Sequence, residues 1–312
     1  SMSKTTNYLR YRAPDGQEIV FPVAVVTGKN DGPHFVITAG IHGAEYPAIA
    51  AAIALFQELK PEDITGKITI VTISSLNAFE ARSIFVNPAD AKNPNRVFPG
   101  NPDGTYTEIL VHHLFKDIIC TADYYLDLHG GDMVEELEPF GLYHIGVSAE
   151  IDRLSRELTK HYALPHNIAT TSDSSWNDSG TTYANAARRG IPAAIVEAGG
   201  AGRLDRASVE IHLRGLKNTL RHFGCLAGEA FEPRDQQFYQ DFFCLYTPVK
   251  GFFYCAVELG SDLEEQQLIG TVKDYFGNHL LDITSPVAGK VLFRTTSPAM
   301  AENGLILGLG VK

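Results

Sequence analysis

Basic residues are scarce in this chain, with 26 Lys and Arg against 37 Asp and Glu and a net charge of −11 at pH 7. A nucleic-acid or anionic-membrane surface needs clustered Lys and Arg, so neither partner is expected, although a local basic pocket is not excluded. Cysteine is scarce too: Cys120, Cys225, Cys244 and Cys255 form no Cys-x-x-Cys pair. That spacing argues against a thiolate zinc site or a redox pair and fits buried thiols in a reducing compartment. No apolar run approaches the roughly 18 residues of a membrane span, and no signal peptide opens the chain. A cytoplasmic protein is expected, with Ser1-Met2 reading as an expression scar.

What is present is an ordinary globular composition, 44% hydrophobic and 20% charged over 312 residues, enough for one large domain and a small one. Up to about residue 230 apolar strand-like runs alternate with helical segments. They predict an α/β fold, a mostly parallel mixed sheet with helices on both faces. Beyond Phe231 the helices stop, and short β-rich segments follow with Gly251, Gly260, Gly270, Gly277, Gly289, Gly304, Gly308 and Gly310 among them. The expected division is 1–230, an α/β catalytic domain, and 231–312, a small all-β domain. Residues 77–104 show little periodicity, and unstructured segments of that length inside compact domains are often functional.

The stretch Val36-Ile-Thr-Ala-Gly-Ile-His-Gly-Ala-Glu45 reads as a buried strand, a tight turn and a helix start. It sets His42 and Glu45 just past the carboxyl end of a strand, where open α/β sheets place ligands. A turn histidine beside a glutamate that complements a helix dipole is the plain alternative. Two further apolar strands end in His129 and Glu197. Three such ends on one sheet edge can bring four side chains together. His42, Glu45 and His129 then match the three protein ligands of a zinc hydrolase, and Glu197 the base that takes a proton from water. Asp127, two residues before His129, is placed to hold the ligating imidazole in one tautomer.

The order of these motifs resembles the zinc carboxypeptidase superfamily, above all its succinylglutamate desuccinylase/aspartoacylase branch. Gly40-Ile41-His42-Gly43-Ala44-Glu45 is similar to that branch's metal motif. Asn77-Ala78-Phe79 with Arg82, then Asn95-Arg96-Val97-Phe98-Pro99-Gly100, is similar to its loop motif. Leu126-Asp127-Leu128-His129-Gly130 and Val196-Glu197 are similar to its third-ligand and catalytic-glutamate motifs. The resemblance runs from about Val36 to the C-terminus. It implies one Zn²⁺ per chain on His42, Glu45 and His129, catalysis by Glu197, a scissile carbonyl polarised by Arg82, and a substrate carboxylate gripped by Asn95 and Arg96. It also implies a zinc carboxypeptidase-like catalytic fold. The C-terminal segment, Leu281 to Val291, resembles half of a lipoyl-like β-sandwich. Asp282-Ile283 stands where a lipoate- or biotin-bearing lysine would be, so a structural lid is expected there.

Two departures bear on the substrate. The branch usually reads Asp-Leu-Asn-Arg, whereas this chain has Asn93-Pro94-Asn95-Arg96. The branch's late substrate-contacting tyrosine has no clear counterpart. Asp132, Glu135, Glu136 and Glu138 follow the third ligand, and the last three read as a solvated acidic turn unless they face the pocket. Together with Asn93 they suggest an amino acid with a positively charged side chain. The expected activity is therefore a zinc-dependent amidohydrolase acting on a small N-acyl amino acid, with an N-acetyl-diaminobutyrate-like substrate implied by the resemblance. A zinc carboxypeptidase cleaving a C-terminal residue from a peptide is the alternative, and a homo-oligomer is left open. His112-His113, on a helix without a third partner, reads as core or surface.

Overall fold

The computed structural model describes residues 1–312. In chain order its first strands are β1 (Ser3–Arg12), β2 (Glu18–Thr27), β3 (Asn30–Ala39), β4 (Thr65–Val71), β5 (Tyr124–His129), β6 (Glu135–Leu137), β7 (Phe140–His144), β8 (His166–Thr170), β9 (Ala193–Glu197) and β10 (Gln237–Tyr239). The helices are α1 (Tyr46–Glu58), α2 (Leu76–Glu80), α3 (Tyr106–His113), α4 (Ala149–Tyr162), α5 (Thr182–Arg188) and α6 (Arg206–His222). None is long and apolar enough to cross a membrane.

All of these strands except β6 form one nine-stranded sheet in the order β1-β2-β4-β3-β5-β9-β7-β8-β10. The central run β4-β3-β5-β9 is parallel, and the opening hairpin and the β7–β9 pair make the sheet mixed. Strands β7 and β8 are not evident in the sequence pattern. Each is five residues long and buried almost throughout, so neither has a polar face to set a period of two.

Strand alternation decides which face carries the chemistry. Phe35, Ile37 and Ala39 of β3, Leu126 and Leu128 of β5, and Ala194 and Val196 of β9 pack under α1, α4 and α6. Val36, Tyr125, Ala193 and Ile195 point the other way, into a cluster with α3, α5, Phe242 and Phe293. By the same alternation Thr38, Asp127, His129 and Glu197 project onto that second face.

The last strands are β11 (Asp241–Tyr246), β12 (Gly251–Cys255), β13 (Asp262–Leu263), β14 (Leu268–Lys273), β15 (His279–Thr284), β16 (Gly289–Thr295), β17 (Ala299–Met300) and β18 (Leu305–Val311). They form two antiparallel sheets, β11-β18-β16-β13 and β15-β14-β12-β17, around their own core of Phe253, Ile269, Val272, Leu307 and neighbours. The expected all-β region is present. Asp282 and Ile283, however, lie inside β15, and the turn before it is built on Asp274 and Gly277.

This region is stitched to the α/β part from both sides. β10 pairs with β8, and β6, which follows the third-ligand strand, pairs with β16. Phe242 and Phe293 are buried in the α/β core, each contributing about 1.5–3 kcal/mol of burial. The acidic stretch expected as a solvated turn is thus a strand. Its ladder partner lies far along the chain, so no local signal marks it. The cysteines are all free, Cys225 and Cys244 buried, Cys120 half-buried and Cys255 exposed.

Candidate metal centre and active site

The turn after β3 forms because two glycines permit close approach. Gly40 has φ 70°, and a Cβ there would meet Ile73 Cα at 2.9 Å; a Cβ on Gly43 would meet the Phe79 nitrogen at 2.3 Å. The turn delivers His42 and Glu45 to the head of α1. Glu45 occupies the N-cap position yet makes no capping hydrogen bond, contrary to the helix-dipole reading. Its carboxylate turns inward, one oxygen 2.8 Å from His42 Nδ1 and the other 2.9 Å from His129 Nδ1. The backbone N–H of Gly130 donates to it at 3.1 Å.

Both imidazoles are fixed from behind. His129 Nε2 donates to Asp127 at 2.7 Å, and Asp127 also accepts from Thr38 and Thr182 at 2.9 and 2.5 Å. His42 Nε2 lies 2.8 Å from the Asn93 amide oxygen, which also accepts from the backbone N–H of Asn95 at 2.9 Å. A group that accepts from a backbone N–H is oxygen, so His42 carries its proton on Nε2. The two Nδ1 lone pairs are thereby left facing Glu45. From below, His212 Nε2 donates to the His129 carbonyl at 2.9 Å.

One ligand atom from each of His42, Glu45 and His129 lies within 4.8 Å of the others, and all three residues are buried. Burial works against charge here, but Asp127 and Glu45 hold His129 well above its ordinary value. Likewise His42 and His129 bring Glu45 down to about 2 despite its burial. The three groups thus carry complementary charge, and a divalent cation bound among them would take the place of protons on the imidazoles. The donor set fits such an ion. Glu157, His161 and His222 also cluster, but the two rings stack 12° apart with centroids at 3.4 Å. Imidazole lone pairs lie in the ring plane, so parallel stacked rings cannot converge on one ion.

A cavity of about 360 Å³ opens on the centre, within the range of small-ligand sites. Glu197 lines it, directly opposite His129 in the β5–β9 ladder. Burial, reinforced by Glu45 and Glu135 against the opposing influence of His129, raises its carboxyl well above the usual range. Asn95 and Arg96 line the cavity as well. The Asn95 amide oxygen accepts from the backbone N–H of Thr182 at 3.0 Å, and the Arg96 guanidinium lies 4.5 Å from the Trp176 ring centre. Arg82 is exposed after α2 with φ 53°, and it is outside the cavity lining, although Phe85 three residues on belongs to it.

Several lining residues escape the sequence argument. Phe242, Tyr246, Phe293 and Leu305 come from the C-terminal sheets, and nothing local singles out Tyr246 among 13 tyrosines. Glu135 also lines the cavity, while Glu136 beside it pairs with Arg294 at 2.6 Å. Asp132 is buried, its oxygens accepting from the backbone N–H groups of Phe85 and Met133. His113 stacks on Tyr11, and it is outside the cavity lining.

Comparison with known proteins places these features. Residues 31–223 match the succinylglutamate desuccinylase/aspartoacylase catalytic domain. N-alpha-acetyl-L-2,4-diaminobutyric acid deacetylase of Halomonas elongata is 32% identical over 261 residues, covering 82% of this chain and 75% of that protein. The product-bound structure of the ectoine utilization protein EutE from Ruegeria pomeroyi superposes with a TM-score of 0.86 at 26% identity, covering 100% of this chain and 95% of that one. A succinylglutamate desuccinylase/aspartoacylase from Rhodobacter sphaeroides has a TM-score of 0.85 at 22% identity, with 98% and 94% covered, a likeness of fold.

Proposed function

This chain belongs to the succinylglutamate desuccinylase/aspartoacylase family, and from that premise we propose that it is a zinc-dependent amidohydrolase that removes the acyl group from a small N-acyl amino acid. The reading rests on one observation: two imidazoles and a carboxylate meet within 4.8 Å, with the Glu197 carboxylate one strand away. Two nitrogens and an oxygen are a zinc hydrolase ligand set with a position left for water. A zinc ion held by His42, Glu45 and His129 would supply a Lewis acid for the acyl carbonyl and a more acidic attacking water. Glu197 takes a proton from that water and delivers it to the leaving nitrogen as the acyl C–N bond breaks. A carboxyl raised by burial is suited to hold and return a proton. Arg96 offers its guanidinium to the substrate carboxylate, and Asn95 keeps its loop against α5. Arg82 takes the carbonyl-polarising role that the family resemblance implies only if its segment swings inward.

Within this class the reading favours N-acetyl-2,4-diaminobutyrate, the compound in the name of the Halomonas relative. One arginine faces several carboxylates in the cavity. The same ligands would serve a carboxypeptidase, but the wall of Phe242, Phe293 and Leu305 limits the cavity to a small substrate. The test is a panel of N-acyl amino acids and short peptides on zinc-loaded protein, with free amine as readout. N-acyl amino acids should be hydrolysed, and Glu197→Gln should lower kcat by about 10²–10⁴-fold with the metal retained. Faster turnover of peptides, or near-normal kcat in Glu197→Gln, would sink the reading.

A further inference from the structure

Five carboxylates surround the metal centre, and the fold gives three of them firm partners. Glu45 faces both imidazoles, Asp127 holds His129 with Thr38 and Thr182, and Asp132 accepts from two backbone N–H groups. Glu197 is left free for proton transfer. The fifth, Glu135, has no cation within ion-pair reach, and its one hydrogen bond is a long one, 3.4 Å from the Asp132 backbone N–H. Glu135 is half-buried against the cavity, and withdrawing a carboxylate from water without a partner is costly, so its position calls for a counter-charge that the chain does not supply.

That position is built rather than incidental. The Glu135 backbone is fixed on one side by the Ala201 N–H, which donates to its carbonyl at 2.7 Å, and on the other by pairing with Thr295 across β6–β16. Within β6 side chains alternate. Glu135 and Leu137 face the cavity, while Glu136 points away to Arg294. Burial and the nearby Glu45 push the Glu135 carboxyl up to about 7, the behaviour of an acid short of a cation. Arg96 lines the same cavity. A ligand bearing one carboxylate and one ammonium finds a complement for each, with the metal ligands and Glu197 beside the acyl group.

We propose that Glu135 is the specificity-determining residue that recognises a cationic side chain on the N-acyl amino acid, its carboxylate accepting hydrogen bonds from the substrate's ammonium. The proposal rests on the deacylase reading above and adds to it the residue that selects among N-acyl amino acids.

The test compares kcat/KM for N-α-acetyl-2,4-diaminobutyrate with that for N-acetylnorvaline, which replaces the ammonium by a methyl group, on zinc-loaded full-length protein. The wild type should prefer the cationic substrate. In Glu135→Gln, an isosteric change, the cationic-to-neutral ratio should fall by roughly 10–100-fold, the range for a hydrogen bond to a charged group, with the loss in KM. Glu135→Asp, which keeps the charge on a shorter arm, should give an intermediate ratio and decides the matter if the Gln variant is insoluble. An unchanged ratio in Glu135→Gln, or a ratio in Glu135→Asp as low as that of Gln, overturns the proposal and leaves the deacylase reading standing. Hydrolysis of neither substrate by the wild type overturns the proposal, and hydrolysis of no N-acyl amino acid in the wider panel overturns the deacylase reading with it.

Discussion

The floor of the cavity and the wall above it are built on opposite plans. On the floor His42, Glu45, Asp127 and His129 each have at least two polar contacts, and Glu45 and Asp127 have three each. On the wall Phe242, Phe293 and Leu305 are apolar, and the Tyr246 and Glu135 side chains are barely engaged. The floor hangs from parallel strands whose ladder sets side-chain positions, and such over-determined supports keep a metal site in its working geometry. The wall comes from separate sheets, where contacts left open by the protein are available to a ligand. On the proposed function, chemistry belongs to the rigid edge and selection to the adaptable face.

The largest expected effect breaks the floor. His42→Ala or His129→Ala removes one of the three proposed ligands, and each variant should lose the metal, whereas His113→Ala should keep it. Elemental analysis of purified protein reads this directly. A full equivalent of zinc in both ligand variants would show that these side chains do not hold the ion.

The same contrast explains what the sequence discloses. Floor residues announce themselves because each strand end carries an unexpected polar group after an apolar run, as at His42, His129 and Glu197. The wall gives no such signal. Glu135 looks like one of several surface acids until β16 pairs with β6, and Tyr246 is one aromatic in an alternating strand. Both acquire meaning from contacts spanning well over a hundred residues, which no local pattern encodes. Asn93 is a mixed case. Its departure from the family motif is visible in the sequence, but only the folded chain reveals that its oxygen orients His42.

A smaller effect is expected one layer behind the ligands. His129 is backed by a carboxylate and His42 by a neutral amide, so the floor has a strong and a weak support. Asp127→Asn and Asn93→Leu should each weaken zinc affinity by about 10–100-fold. Asp127→Asn should be the more severe, because Thr38 and Thr182 also depend on it. Competition with a chelator measures both. Equal affinity in Asn93→Leu and wild type would mean that His42 needs no orienting partner.

The smallest effect sharpens the boundary between wall and site. Tyr246 ends β11 where the β11–β18 register shifts, between Leu245 and Tyr246, and such irregularities re-aim a side chain. Its ring lines the cavity but the residue keeps 44% of its surface exposed, so the hydroxyl can reach a ligand without losing water entirely. Burial still raises its pKa, so near neutral pH the group is a phenol that can donate. If Tyr246 is only wall, Tyr246→Phe keeps the ring and leaves kinetics unchanged. If its hydroxyl donates to the substrate, one neutral hydrogen bond of about 0.5–1.5 kcal/mol is lost, which raises KM by roughly 2–10-fold with kcat preserved. We expect the second outcome. A KM that stays put in a folded, zinc-loaded Tyr246→Phe enzyme would return Tyr246 to the apolar wall and leave Glu135 as its one selective contact.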